Sequence, residues 1–371
     1  METKKYRFDE VTINFDKKRI PLSSAQREKR QGTFRYYGAQ GVIDHVDDYI
    51  FDGTYLLIAE DGENLKSKKQ NIAQVVDGQF WVNNHAHIVQ GNEQCDTRFL
   101  CYLINSMDLS GYVTGSAQPK LSQANLNAVT LSLPTLAEQK RIVEYLYMLD
   151  QKIDVNRQIN DNLQQQAAAL FSSLYDRTNT EVRFTDLIQI LGGGTPKTGE
   201  NTYWNGNIAF FTPKDVGTPY TLSTEKTITE EGLSHCNSRL YPVNTVFVTA
   251  RGTVGKVGMS GVPMAMNQSC YALVGKETHQ LLVYFYTLKT VDRLKHKASG
   301  AVFDAITTRD FESEQIMKLS DEDAKSFLCI AAPMFQKVLD NGIENQRLST
   351  LRDSLLPKLM SGEIDVSAVQ L

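Results

Sequence analysis

The chain has 371 residues, enough for two or more domains. Its 41% hydrophobic and 22% charged content is ordinary globular usage, which excludes a disordered or fibrous chain and allows a sizeable core in each half. A formal charge of −4 and a pI near 5.9 argue against a protein that is basic throughout, so any contact with a polyanion must rest on local patches.

The N-terminal stretch leads into no apolar run, and nothing approaches the roughly 20 apolar residues of a membrane span. Cys95, Cys101, Cys236, Cys270 and Cys329 are scattered without a C-x-x-C pair. They predict neither a disulfide framework nor a zinc ribbon and fit a reducing compartment. The expectation is a cytoplasmic chain with no membrane contact.

Residues 1–35 carry ten basic side chains against five acidic ones, Arg19, Arg27, Lys29, Arg30 and Arg35 among the basic set. They form either a solvated face or a phosphate-facing patch. Arg35-Tyr36-Tyr37-Gly38-Ala39-Gln40 interleaves basic, aromatic and amide residues, of which arginine suits the guanine edge and glutamine the adenine edge. Tyr55 to Ala59 reads as a buried strand, followed by Glu60-Asp61-Gly62, where a carboxylate could cap a turn or accept from a cytosine amine. Asp44, Asp47, Asp48 and Asp52 read as an acidic rim. His85 and His87 would share a strand face, but a metal site needs further ligands. Residues 97–107 read as a short helix.

Residues 136–175 predict one long helix. Pro134 stops the segment before it, and Thr135 with Glu138 forms a capping box. Ile142, Leu146, Leu149, Ile153, Asn156, Asn160, Leu163, Ala167, Leu170 and Leu174 follow alternating steps of four and three, a heptad seam. No Gly/Ser linker separates this helix from the second half of the chain near Thr178. That half opens with Gly192-Gly193-Gly194-Thr195-Pro196, and later carries Gly252-Thr253-Val254-Gly255-Lys256-Val257. Neither has P-loop spacing, so both predict tight turns, which can still offer amides to a DNA phosphate. Val246 to Ala250 reads as a strand and 279–297 as a helix. Thr195, Lys197, Lys214, Arg251, Thr253, Lys256, Asn267 and Gln268 form the candidate DNA-facing set of this half.

The chain repeats at an offset of 185 residues: Gly115 and Gly300, Asn160 and Asn345, Leu163 and Leu348, Leu170 and Leu355. Thr135-Leu136-Ala137-Glu138 recurs as Ser320-Asp321-Glu322-Asp323. The shifted seam runs through Phe327, Ala331, Met334, Val338, Asn341, Asn345, Leu348, Arg352, Leu355 and Leu359. Paired Asn at matched depths predict two helices packed through a central polar layer, which costs stability and fixes register. Pro333 predicts a late start near Ala331 or a kink. The fold class expected is α+β. Two similar units, 1–134 and 179–319, each precede a long helix, 135–178 and 320–371. The helices run antiparallel as a coiled-coil spacer with a pseudo-two-fold internal repeat. No nucleophile elbow, H-E-x-x-H, cofactor glycine fingerprint or [ND]-P-P-[YF] tetrapeptide is present, so no catalytic role, metal or cofactor is expected.

Three segments resemble one family. Tyr36 to Asp44 with Tyr55 to Gly62 resembles a recognition domain. Pro134-Thr135-Leu136-Ala137-Glu138-Gln139-Lys140-Arg141-Ile142 resembles a central conserved helix start. Leu351-Arg352-Asp353-Ser354-Leu355-Leu356-Pro357-Lys358-Leu359-Met360-Ser361-Gly362-Glu363-Ile364 resembles a C-terminal signature. The family is that of the DNA specificity subunits of type I restriction–modification systems. The resemblance implies that each unit reads half of a split site on double-stranded DNA. It implies helices that set the gap and dock two methyltransferase (modification) subunits, with motor-nuclease (restriction) subunits joining, and chemistry left to those partners. The second helix departs from the family by lacking P-x-x-x-E-Q. A helix of about 40 residues spans roughly 60 Å at about 1.5 Å per residue. Major-groove faces recur every 34–36 Å or so, which predicts a bipartite site with an unread gap. The other readings are a specificity chain whose partner fuses methyltransferase and nuclease, and a scaffold that does not touch DNA.

Overall fold

A computed structural model describes residues 2–67, 70–115, 118–217, 219–297 and 305–364. The chain divides into two compact units, Met1–Gln151 with Leu348–Leu371, and Lys152–Arg347. The boundary falls inside the two long helices, so each unit holds a stretch of both, where the sequence suggests the helices as segments apart.

The first unit is built on a six-stranded sheet in the order Thr12–Asn14, Ala86–Gly91, Phe51–Ala59, Ala73–Val82, Gln31–Gly38, Gly41–Val46. Every neighbouring pair is antiparallel except Gln31–Gly38 with Ala73–Val82. Successive side chains of a strand point to opposite faces, and Phe51–Ala59 uses both. Leu56 and Ile58 join the core beneath helix Thr97–Ser106, while Leu57 and Phe51 join Val76, Phe80 and Ile88 on the other side. Asp96 caps that helix by accepting from the N–H groups of Arg98 and Phe99. Strands Lys4–Arg7 and Thr130–Leu133 pair at its flank. Ile142, Val143 and Leu146 of the first long helix and Leu359 of the second close the same core.

The second unit repeats this plan beside the long helices and departs from it further out. Ile188–Gly192, Cys270–Gly275 and Val246–Thr249 stand in the order of the first unit's Thr12–Asn14, Ala86–Gly91 and Phe51–Ala59. Val246 and Val248 face the helical core and Phe247 the opposite side, the same alternation. Beyond them the sheet ends with Val257–Ser260 and Tyr220–Thr221. A separate three-stranded sheet holds Lys226–Ile228, Trp204–Phe211 and Met264–Met266. Helix Gln280–Lys297 packs Phe285 on Phe171 and Phe327 of the long helices, with ring centres 5.0 and 5.3 Å apart.

The long helices are Leu136–Tyr175 and Asp321–Ser361. The first starts on the reciprocal Thr135–Glu138 box; the second starts on Ser320, whose Oγ accepts the Asp323 N–H at 3.1 Å. The second therefore begins well before Ala331 and runs through Pro333, which gives up one backbone donor mid-helix. Gly342 sits where a Cβ would come within 2.9 Å of Leu222 Cδ1, so a larger residue there needs the Leu222 side chain to move.

Within the second unit the helices run antiparallel through an asparagine layer. Asn156 Nδ2 donates to Asn345 Oδ1 at 2.9 Å, and Asn341 Nδ2 donates to Asn160 Oδ1 at 2.8 Å. Asn160 Nδ2 also reaches the Val338 carbonyl at 3.2 Å, and Asn345 Nδ2 the Ile153 carbonyl at 3.4 Å. Moving each bond by 185 residues and exchanging the helices turns it into its mate, so the layer has local two-fold character. One difference breaks it: Asn156 Nδ2 also donates to Glu344 at 2.8 Å, where the other helix has Ile159. Around the layer Ile153 and Val338 are buried and Leu163 and Leu170 half-buried. In the first unit Ile142 and Leu146 are buried, Leu149, Leu348 and Leu355 half-buried, and Arg352 pairs with Asp150 at 2.6 Å. At the far end Phe335, not Met334, is the deeper residue.

Candidate nucleic-acid interface

In the first unit, the basic residues singled out by sequence are mostly held by the fold itself. Arg27 pairs with Asp44 at 2.8 Å, donates to the Leu22 carbonyl and lies 5.2 Å from the centre of the Tyr36 ring. Arg30 pairs with Asp47 at 2.8 Å and covers Trp81 at 4.9 Å. Of the residues expected as an acidic rim, Asp44, Asp47 and Asp48 are partners of these arginines and Asp52 accepts from Gln79 at 3.0 Å; Arg27 holds the Asp44 carboxyl below the ordinary carboxylate range. Tyr36 is wholly buried, its hydroxyl accepting the Leu22 N–H at 2.9 Å, and Tyr37 stacks edge-on against Phe80. Neither ring is placed to meet a base, because both faces of the strand are covered here: Tyr36 packs with Val46 and Trp81 on one side, and Tyr37 with Phe51 and Phe80 on the other. Arg35 is exposed and donates to the Asp77 carbonyl at 2.7 Å; Lys29 and Gln40 are exposed.

Arg19 belongs to a buried network that no sequence motif signals. His87, 1% exposed, bonds Asp16 Oδ2 through Nδ1 at 2.6 Å and the Leu121 carbonyl through Nε2 at 2.8 Å. Both partners are acceptors, so both ring nitrogens must carry protons. Burial lowers the pKa of His87, but the hydrogen bonds to Asp16 and to the Leu121 carbonyl, with the charges of Asp16 and Glu60, outweigh it and raise the value overall. Asp16 moves the other way: burial opposes its charge, and bonds from His87 and the Ile88 N–H bring its pKa below the ordinary range. Arg19 pairs with Glu60 at 3.0 Å and donates to the Ala86 carbonyl, while Lys120 reaches Glu60 at 3.3 Å. Glu60 therefore serves two cations rather than a turn. His85 lies apart from His87, on Asp61 at 2.7 Å. The spacing of the two histidines is visible in the sequence, but nothing in it shows that residue 16 returns beside residue 87. Among the described residues no group of three His, Cys, Asp or Glu is arranged to hold a metal.

In the second unit the candidates come together and remain available. The Thr195 hydroxyl donates to Gln268, and Asn267 donates its backbone N–H to the Phe211 carbonyl at 2.9 Å, three residues before Lys214 in the chain. Thr253 donates to the Pro213 carbonyl at 3.3 Å. These contacts gather the loops that carry Thr195, Lys197, Lys214, Arg251, Thr253, Lys256, Asn267 and Gln268. Asn267 spends its own Oδ1 on the Ser269 N–H. Lys197, Lys214, Arg251 and Lys256 are exposed and have no ion pair among the described residues. The two glycine motifs differ in kind. Gly252 and Gly255 have φ of 82° and 74° and form the turn between Val246–Thr249 and Val257–Ser260. Gly193 instead lies where a Cβ would meet the Asn267 and Met266 carbonyls at 2.2 and 2.6 Å, so the triple glycine marks a close chain crossing, not a turn.

The sequence pattern of the type I restriction modification DNA specificity domain matches this chain twice, over residues 2–165 and 177–320. The chain belongs to the type I restriction–modification DNA specificity family. The HindI specificity subunit of Haemophilus influenzae is 23% identical over 401 aligned positions, with 84% of each chain covered. A putative specificity subunit of the same organism is 36% identical over 138 residues, which is 37% of this chain and only 35% of that protein's length. A specificity subunit from M. genitalium shares the fold, with a TM-score of 0.62 at 14% identity over 97% of this chain and 96% of its own. In this family setting, the duplication at an offset of 185 is one domain used twice. No helix among the described residues is long and apolar enough to cross a membrane.

Proposed function

We propose that this specificity subunit recognises a bipartite sequence on double-stranded DNA without catalysing any step itself. Each unit reads one half-site, the long helices set the unread gap, and the same helices dock two methyltransferase subunits. Methyl transfer, ATP use and cleavage reside in the modification and restriction partners. The observation that carries this reading is the pattern of likeness between the units. The strands beside the helices match, while the outer strands and loops, where unpaired Lys197, Lys214, Arg251 and Lys256 gather, do not. Lysine suits phosphate and arginine the guanine edge, so such a loop cluster can both hold a duplex and discriminate bases. With a formal charge of −4, the isolated chain is expected to bind DNA weakly at physiological salt, its partners adding phosphate contacts. Methylome sequencing of the host with and without the gene should reveal a gapped motif that disappears with the gene. A continuous motif, or no lost motif, would remove the reading.

A further inference from the structure

A groove of about 940 Å³ opens on the second unit, between the start of the second long helix and the loop that leads into helix Gln280–Lys297. Leu282, Tyr286 and Leu328 line it, together with Glu277, His279 and Leu319. The first unit builds the same corner. Gly91 and Gly275 are each pressed onto a carbonyl of the following loop, that of Cys95 and of Thr278, at 1.9 Å from an ideal Cβ. Asp96 and His279 then precede the two short helices, and the Thr135 and Ser320 caps open the two long ones.

In the first unit this corner is filled by Gln139, which is fully buried. Its Oε1 accepts the Asp96 N–H at 2.9 Å, and its Nε2 donates to the carbonyls of Gln94 at 2.9 Å and Pro134 at 3.0 Å. One repeat later the residue is Ala324. The corresponding groups are the His279 N–H and the carbonyls of Glu277 and Leu319. Among the described residues none of the three has a hydrogen-bond partner within the chain. They border the open groove.

We propose that this groove is a binding site for a primary carboxamide supplied from outside the chain, as a glutamine or asparagine side chain or as a free amide. The chemistry is selective. One donor and two carbonyl acceptors call for a group that accepts once and donates twice, which a carboxamide does. A carboxylate would set lone pairs against both carbonyls, and an ammonium could not accept from His279. The proposal goes beyond DNA reading and does not depend on it.

The test is an amide-resolved NMR titration of the full chain with N-acetyl-L-glutamine methylamide, set against N-acetyl-L-glutamate methylamide. The glutamine compound should shift the His279 amide saturably and the glutamate compound should not. Ala324→Gln should abolish the shift and slow exchange of the His279 N–H, because the chain then fills its own socket. Ala324→Leu, which blocks by volume alone, should abolish binding without slowing exchange and keeps the test decisive if the first variant does not fold. No saturable shift, equal response to both compounds, or binding that persists in both variants overturns the proposal. Assembly with co-expressed methyltransferase subunits then separates the sources: weaker assembly of Ala324→Gln assigns the amide to a partner side chain, and unchanged assembly assigns it to a free amide.

Discussion

The two units share a frame and differ in what they do with charge. Close to the long helices they share particular contacts: Phe8 N–H meets the Val129 carbonyl as Phe184 N–H meets that of Glu314, and Ser122 and Thr307 begin equivalent short helices. Away from the helices the first unit ties Arg19, Arg27 and Arg30 to its own carboxylates, while the second leaves Lys197, Lys214, Arg251 and Lys256 without an ion pair among the described residues. A frame that must pack on a fixed pair of helices tolerates little change, because interiors are close-packed. Loops that face solvent carry no such constraint and can vary with the sequence to be read. The duplication therefore conserves a mount and frees two reading surfaces.

The largest expected effect comes from the buried network around His87 in the first unit. Asp16→Ala leaves His87 and Arg19 without their shared carboxylate, and breaking a buried pair of this kind costs about 3–5 kcal/mol. Urea unfolding should show the loss. Its pH dependence has a definite sign. The raised pKa of His87 makes its contribution complete below the ordinary imidazole value of 6.5 and lost as pH climbs through the raised value. The lowered pKa of Asp16 makes its contribution complete above 3.8 and lost as pH falls through the lowered value. The gap between wild type and variant should be widest between these limits and close at alkaline pH. A constant gap from pH 6 to 10 or so would show that the ion pair is not the cause.

Two substitutions of intermediate size set the units against each other more directly. Gln139→Ala should convert the first unit's filled corner into the open one of the second. It strands the Asp96 N–H and two carbonyls at about 1–3 kcal/mol, read as a lower melting temperature. Asn341→Ala removes the donor to Asn160, and Asn156→Ala its two-fold mate, the donor to Asn345. Each should cost about 1–2 kcal/mol. Asn156→Ala should cost more, because it also frees Glu344. Equal losses would mean that Glu344 adds nothing to the layer.

Legibility in the sequence divides along a physical line. The capping boxes, the heptad steps and the paired asparagines are local or periodic signals, and all predict contacts that a helix makes by geometry alone. The 185-residue offset carries those signals from one half to the other. Long-range polar contacts have no such period. Nothing near Asp16 indicates that it meets His87 across 71 positions, and nothing near Arg27 indicates Asp44 as its partner. The patch Arg35 to Gln40 misleads for a related reason: its composition suits nucleic acid, but long-range packing on both faces of the strand buries Tyr36 and Tyr37. The change from Gln139 to Ala324 is visible as a missing P-x-x-x-E-Q start, although only the structure shows what the glutamine holds.

The smallest effect on stability, and the sharpest on function, belongs to the unpaired cations of the second unit. Lys214→Ala and Lys256→Ala remove side chains that touch no carboxylate, so the melting temperature should stay within the range of about 0.5 kcal/mol typical of surface changes. On DNA each should lower the slope of affinity against salt by about one and weaken all sequences alike, as loss of a phosphate contact does. Arg251→Ala should instead relax discrimination at one base position if its guanidinium reads guanine. The matched control is Arg27→Ala in the first unit, which should lower stability by about 0.5–1 kcal/mol through the Asp44 pair and leave the salt slope nearly unchanged. If Arg27→Ala altered the slope as Lys214→Ala does, the first unit would be reading DNA through residues it already uses to hold itself together, and the contrast between the units would fail.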